Sequence, residues 1–251
     1  MNQYHSAIIT GASSGIGEEM AKQLSHNNMT LCLIGRNKER LNHVKDACEL
    51  LGAHVEVYSE DVSNKEAIKK IILDFNQKFP VDLIFANAGI GTTQSEDQNA
   101  GVVDTQKLID TNICGIHSVI DPLIPIFKER KSGQIAIMSS IAAYRGFAKH
   151  YIYAATKAYG RIYGEGLRLD LKKEGIQVSV IAPGFVKTRL TDKNKFKMPL
   201  IINADKACKI ILKGLEKNKP IISFPKIFYF IVRFISALPV CIANKISEKI
   251  A

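Results

Sequence analysis

Cysteine is present in this chain but never paired: the five residues at 32, 48, 114, 208 and 241 form no CxxC and no framework of matched spacings. An odd count of this kind, after a start that runs into apolar residues without a cationic leader, points to reduced thiols in a cytoplasm. Cysteine and histidine nowhere cluster at metal-ligand spacing, so no metal site is expected. Internal repeats, low-complexity tracts and linkers are absent, which favours one domain over residues 1–251. Acidic residues are scarce at one end only. Residues 1–186 hold 20 Lys and Arg against 20 Asp and Glu, whereas residues 187–251 hold 14 against 4, so the whole formal charge of +10 lies in the last 65 residues.

Hydrophobic residues, at 46%, are ample for a large core. They recur in short runs: SAIITG (6–11), LCLIG (31–35), HVEVYSED (54–61), VDLIFANAG (81–89), QIAIMSS (134–140), QVSVIAPG (177–184) and PIISF (220–224). Most are rich in β-branched residues and end in Gly, Ser, Asn or Asp. Continuous apolar strands suit a sheet buried on both faces, hence a parallel one. Segments of helical periodicity separate them, and that alternation predicts a doubly wound α/β fold.

The first run enters TGASSGIG, Thr10 to Gly17. A glycine-rich turn between a strand and a helix lets backbone N–H groups approach a pyrophosphate at the helix N-terminus. Gly11 permits the tight turn, Gly15 the close approach and Gly17 close helix–strand packing. The spacing is G-x-x-x-G-x-G rather than G-x-G-x-x-G, and a plain structural turn is the competing reading. At the end of the second run, LIGRNKER, no carboxylate is present to hold a ribose 2′-hydroxyl; Arg36 stands there instead. Its planar fork suits a 2′-phosphate, which favours NADP(H) over NAD(H), although Arg36 could simply cap a surface loop.

In YIYAATK (151–157), Tyr153 and Lys157 are four apart and share a helix face, whereas Tyr151 points elsewhere. A phenol titrates near pH 10; a neighbouring ammonium favours its ionised form. The pair on its own is common by chance. With the T-G-x-x-x-G-I-G turn, DV (61–62), NAG (87–89), TN (111–112), Ser140 and PGFVKT (183–188) in the same order, the chain resembles the short-chain dehydrogenase/reductase family over residues 6 to about 190.

The resemblance implies an α/β, doubly wound, mostly parallel seven-stranded Rossmann-like sheet with helices on both faces. It implies hydride transfer between NADP(H) and a carbonyl or secondary alcohol, with Tyr153 as general acid and base. Lys157 would lower the Tyr153 pKa and hold the nicotinamide ribose, Ser140 would hold the substrate oxygen, and Asn112 would hold a water linking Lys157 to solvent. Ser139 competes with Ser140, but in an extended strand it faces the other side. The cofactor set implied is Gly11, Ser13, Ser14, Gly15, Ile16, Gly17, Arg36, Asp61, Val62, Asn87, Ala88, Gly89, Tyr153, Lys157, Pro183, Gly184, Val186 and Thr188. In it Ser13 adds a hydroxyl contact beside Arg36, Asp61 and Val62 flank the adenine, and Val186 and Thr188 contact the carboxamide. Asn87 can equally be a tie between strands, and Tyr151 is expected to line or pack.

Residues 190–224 are expected to supply a substrate lid and the last strand, and 225–251 an apolar and basic tail. PKIFYFIVRFISALP (225–239) is apolar on nearly every face, with prolines to start and stop a helix. At about 20 Å it is short of the roughly 30 Å bilayer core. Ile242, Ile246 and Ile250 form one stripe beyond it. The tail either covers the substrate cleft, packs across a homodimer or homotetramer interface, or rests on a membrane surface as a peripheral anchor. Nucleic acid is not expected as a partner, since no recognised binding motif accompanies the basic residues. The rival reading of the whole is a non-catalytic cofactor-binding or scaffolding protein on the same fold.

Overall fold

A computed structural model of the protein describes residues 4–91, 104–146, 150–192 and 198–250, with side chains to residue 247. Six of the apolar runs form β1 (Ser6–Thr10), β2 (Thr30–Gly35), β3 (His54–Ser59), β4 (Leu83–Ala86), β5 (Gly133–Met138) and β6 (Ile176–Pro183). Two very short strands, β7 (Val186–Lys187) and β8 (Ile202–Asn203), pair with each other, and the seventh run forms β9 (Ile221–Phe224). The seven longer strands make one parallel sheet in the order β3-β2-β1-β4-β5-β6-β9. The order reverses between β1 and β4, and the crevice outside the carboxyl ends of the strands at such a switch point is where open α/β sheets bind ligands.

Successive strand residues point to opposite faces, so a continuous apolar run feeds two cores. Ala7, Ile9, Leu31 and Leu33 enter one, and Ile8, Cys32 and Ile34 the other. The first core is closed by α1 (Gly15–Leu24), α2 (Lys38–Glu49) and, later in the chain, residues 204–216, through Met20, Leu41, Val44, Ile211 and Leu215. The second is closed by α3 (Lys65–Lys78), by α4 (Thr105–Ile109) and α5 (Gly115–Ile120), which are joined through a π-helical turn at Asp110–Cys114, and by residues 151–171. Helices therefore cover both faces. Full burial of a side chain such as Phe75 contributes roughly 1.5–3 kcal/mol. The remaining helices are α6 (Ile124–Arg130), α7 (Tyr151–Leu171), α8 (Ala204–Glu216), α9 (Lys226–Ala237) and α10 (Val240–Ile250).

One difference from the sequence reading has a local cause. β4 ends at Ala86, short of the expected 89, because the Asn87 and Ala88 amides turn to the Thr10 hydroxyl at 3.1 and 3.0 Å. In α10 the exposed Ile242 adjoins the side that docks. Ile242 is 47% exposed while Ala243 is fully buried, and Arg145 donates to Asn244 and Ser247 on the face that docks. Among the described residues no helix is long and apolar enough to cross a membrane.

Candidate active site

The glycine turn lies at the carboxyl end of β1. Gly15 has φ +63, a left-handed conformation that favours glycine. A Cβ at Gly17 would lie 2.4 Å from the Gly11 carbonyl oxygen, so any side chain there would force α1 away from β1. Ser14 is the N-cap of α1, yet its side chain makes no capping hydrogen bond. The first-turn amides of Gly15, Ile16 and Gly17 thus have no side-chain acceptor, which is the arrangement that suits a phosphate. Asn87 fastens the turn to β4, its amide donating to the Thr10 carbonyl at 2.9 Å. The side chain expected either to line the cleft or to tie strands does the second. Thr188 arrives from the segment after β6: a Cβ on Gly15 would lie 3.0 Å from its methyl carbon.

Arg36 follows the last residue of β2 and is half exposed. The sequence shows no acid at that tip, but β3 delivers one. Asp61 Oδ2 lies 3.5 Å from the Arg36 guanidinium, since Gly35 pairs with Ser59 and both chains continue past the sheet edge. Burial alone would raise the Asp61 carboxyl; the Ser63 hydrogen bonds and the Arg36 charge outweigh it and leave the group below its ordinary value. Ser13 stands beside this pair, its hydroxyl 3.4 Å from where a Gly35 Cβ would be. Val62 is different: it is buried among core residues, packed on Gly115, rather than open to the cleft.

Tyr153 and Lys157 sit in the first two turns of α7, with the ammonium 5.8 Å from the centre of the phenol ring. Ser140 is the side chain that bears on the Tyr153 phenol and opposes its upward shift. Ser140 ends the segment after β5 and caps a short 3-10 turn, accepting from the Ala142 amide at 3.1 Å. Ser139 is buried with its hydroxyl donating to the Lys157 carbonyl at 2.7 Å, so it faces away, as strand alternation predicts. Burial dominates both titrating groups. It raises the Tyr153 phenol, with the Ser140 bond offsetting part of the effect. It brings the Lys157 ammonium down to about 8. The expected lowering of Tyr153 by Lys157 does not occur in the chain alone, where burial sets the upward direction and Ser140 is the group that opposes it. Tyr151, expected to line or pack, is 64% exposed at the start of α7.

Asn112 lies in the π-helical turn and is buried. Its oxygen accepts from the Ile90 amide at 2.8 Å, and its nitrogen donates to the Ile90 carbonyl and the Thr156 hydroxyl, both at 3.0 Å. Both amide hydrogens are used, so Asn112 grips the backbone after β4, and one oxygen lone pair remains for any further donor. A Cβ on Gly89 would stand 3.0 Å from Lys157 Nζ and 3.2 Å from that oxygen. Lys157 Nζ itself donates to the Met138 carbonyl at 3.2 Å. The loop 87–90, Asn112 and Lys157 thus form one contact group at the ends of β4 and β5.

The opposite wall was not legible in the motifs. Pro183 ends β6, and the Gly184 amide donates to the Phe224 carbonyl at 2.7 Å. A Cβ on Gly184 would meet Phe228 of α9 at 3.0 Å and Ile141 at 3.5 Å. Phe185 stacks on Phe228, with ring centres 5.9 Å apart. Tyr144, four residues after Ser140, is held between the Arg161 and Arg233 guanidiniums at 4.7 and 5.2 Å, with Tyr229 against its edge. The α9 helix is therefore clamped beside the candidate site. Its aromatic composition was the signal; nothing in the sequence said which rings face inward. Val186 is buried in the core, and residues 193–197 of the expected lid lie outside the described residues.

Residues 5–198 match the family model described as short chain dehydrogenase. An uncharacterized oxidoreductase of Myxococcus xanthus is 34% identical over 226 residues, 88% of each chain. Among solved structures, the short-chain dehydrogenase from Sphingobium yanoikuyae in complex with NADPH aligns with a TM-score of 0.79 at 23% identity, covering 88% of each chain. A short-chain dehydrogenase/reductase from Burkholderia phymatum in complex with NAD also aligns at 0.79, with 23% identity and 91% of each chain covered. These structural likenesses establish the fold.

Proposed function

The chain belongs to the short-chain dehydrogenase family, and we propose that it moves hydride between NADP(H) and the carbonyl or secondary alcohol of an apolar substrate. One observation carries the reading: the buried Lys157 lies one helical turn from Tyr153, its ammonium 5.8 Å from the phenol ring, while Ser140 is the side chain that bears on that phenol. The uncapped first turn of α1 suits the dinucleotide phosphates. When bound, the cofactor supplies or accepts the hydride.

The side chains divide the remaining work. A phenol raised by burial is neutral at pH 7, so Tyr153 holds a proton ready for a carbonyl oxygen. Ser140 orients that oxygen toward the proton. Lys157, largely protonated at pH 7 with a pKa of about 8, opposes the negative charge left on the phenol. Its ammonium, beside Gly89, would also hold the ribose of a bound cofactor. Asn112 fixes the loop against which Lys157 rests, and its spare lone pair is the acceptor for a water on the way to solvent. Arg36 and Ser13 favour a 2′-phosphate; relatives of the fold carry either dinucleotide, and Asp61 beside Arg36 moderates the preference. The apolar wall of Ile141, Phe185 and Phe228 argues for an apolar substrate. We take residues 1–190 as the cofactor-binding and catalytic core, 190–224 as lid and last strand and 225–251 as tail, in a cytoplasmic homodimer or homotetramer.

The test is Tyr153→Phe. Turnover of a panel of apolar ketones with NADPH should fall at least about 10²-fold while NADPH affinity is kept. A variant with unchanged turnover would leave the scaffolding reading in its place.

A further inference from the structure

The inner face of α9 is occupied: Val232 is buried, Phe228 meets Gly184, and Ser236 donates to the Tyr144 carbonyl at 2.7 Å. The outer face is not. Ile227, Phe230, Ile231 and Phe234 are 63, 62, 48 and 68% exposed. Their spacing of three and four residues puts them on one stripe, whose width is about that of a buried helix face. Val240, at the start of α10, is likewise 69% exposed. A patch of contiguous large apolar side chains is a docking surface rather than ordinary surface scatter.

Charge decides what docks. Between Glu216 and Glu248 there is no acidic residue, while Lys217, Lys219, Lys226, Arg233 and Lys245 are basic. Lys226 and Arg233 are seven residues apart and follow one edge of the stripe. A second copy packed face to face would bring two such edges together with no acid to meet them. An anionic surface complements Lys226 and Arg233 at the edge of the stripe. We propose that α9 lies on the surface of a bilayer containing anionic lipid, with the phenylalanine stripe at the acyl boundary and the basic edge among the headgroups. The inner face meanwhile stays on the substrate wall. Twelve residues of helix give about 18 Å, which lies in the interface and does not span it. This docking does not depend on what the enzyme reduces, and its test reads binding and not turnover.

Full-length protein is sedimented with vesicles of phosphatidylcholine plus phosphatidylglycerol, and with phosphatidylcholine alone. Binding should favour the anionic vesicles by at least about tenfold and weaken as salt rises from about 0.01 to about 1 M, because the screening length falls from about 30 to 3 Å. Phe230→Ser with Phe234→Ser should lower binding at least about tenfold with melting temperature and NADPH affinity unchanged, since both rings are exposed. Lys226→Glu with Lys245→Glu, which leaves every apolar contact in place, should also weaken it. Full-length protein that stays in the supernatant with anionic vesicles at low salt overturns the proposal. So does a phenylalanine variant that binds as well as wild type. So does a wild-type dimer that the phenylalanine variant splits while vesicles are ignored.

Discussion

Replacing Lys157 with methionine should make the cofactor-free protein more stable and less active at once. The lysine is 6% exposed, and burial brings its pKa from 10.5 down to about 8. That difference corresponds to about 3 kcal/mol of disfavoured charge in the folded state. Methionine loses the 3.2 Å bond to the Met138 carbonyl, worth about 1 kcal/mol. The net gain is about 2 kcal/mol at pH 7, or roughly 4–8 °C in melting temperature for a chain of this size. The sign follows from linkage. The folded pKa is depressed, so between about 8 and 10.5 the unfolded chain binds more protons and wild-type stability rises with pH. The full cost of the charge is therefore present below pH 8 and has largely gone by pH 10, where about 1 kcal/mol remains and the lost hydrogen bond cancels it. Calorimetry of both proteins without cofactor at pH 7 and pH 10 reads this directly. A variant less stable than wild type at pH 7, or an advantage of equal size at both pH values, refutes the account of a strained, buried charge. Turnover of the same variant should fall at least about 10²-fold.

Two further substitutions probe the ends of the cleft. Wild-type kcat/KM should favour NADPH over NADH by about tenfold or more, a charge-assisted bond being worth roughly 1.5–3 kcal/mol; Arg36→Asp should reverse the preference, and Asp61→Asn, which frees Arg36 from its 3.5 Å partner, should increase it. Equal efficiencies in the wild type would remove Arg36 from the cofactor site. Asn112→Ala breaks three buried hydrogen bonds and strands the Ile90 amide, so urea denaturation should show a loss of about 2–4 kcal/mol; a loss below about 1 kcal/mol would mean that the loop after β4 is held by something else.

The strands were legible because a parallel strand buried on both faces must be apolar at every position, and each run ends where a polar residue meets the cleft. All seven formed within a few residues of their expected bounds. The places of the glycine turn, Tyr153 and Lys157 in the fold were legible because each follows from local spacing, a turn after β1 and one face of a helix. What escaped depends on distance in the chain. The grip of Asn112 on Ile90 spans 22 residues and needs a π-helical turn that leaves no mark in the sequence. The pairing of Arg36 with Asp61 follows from the β2–β3 register, and was readable only once that register was known. β7 and β8 are two residues each, too short for any period. In α9, apolar residues on nearly every side left no contrast to separate the buried Val232 from the exposed Phe234. The upward shift of Tyr153 was missed because charge proximity can be guessed from spacing and desolvation cannot.

The clamp at Tyr144 divides the cleft into two inheritable parts. Apart from Tyr153 and Lys157 of α7, the residues that would hold a dinucleotide come from 10–89 and 183–188, tied together by Thr10, Asn87 and the contact of Gly15 with Thr188. The facing wall comes from 141–144 and α9, and the helix is attached to it through the Tyr144 ring beside Arg161 and Arg233, the Ser236 bond to the Tyr144 carbonyl and the stacking of Phe228 on Phe185. An exchange of the last quarter of the chain that keeps Arg233 and the small Gly184 would swap one wall of the pocket and leave the other untouched. Under the proposed function, such an exchange would alter substrate range and leave the cofactor side unchanged.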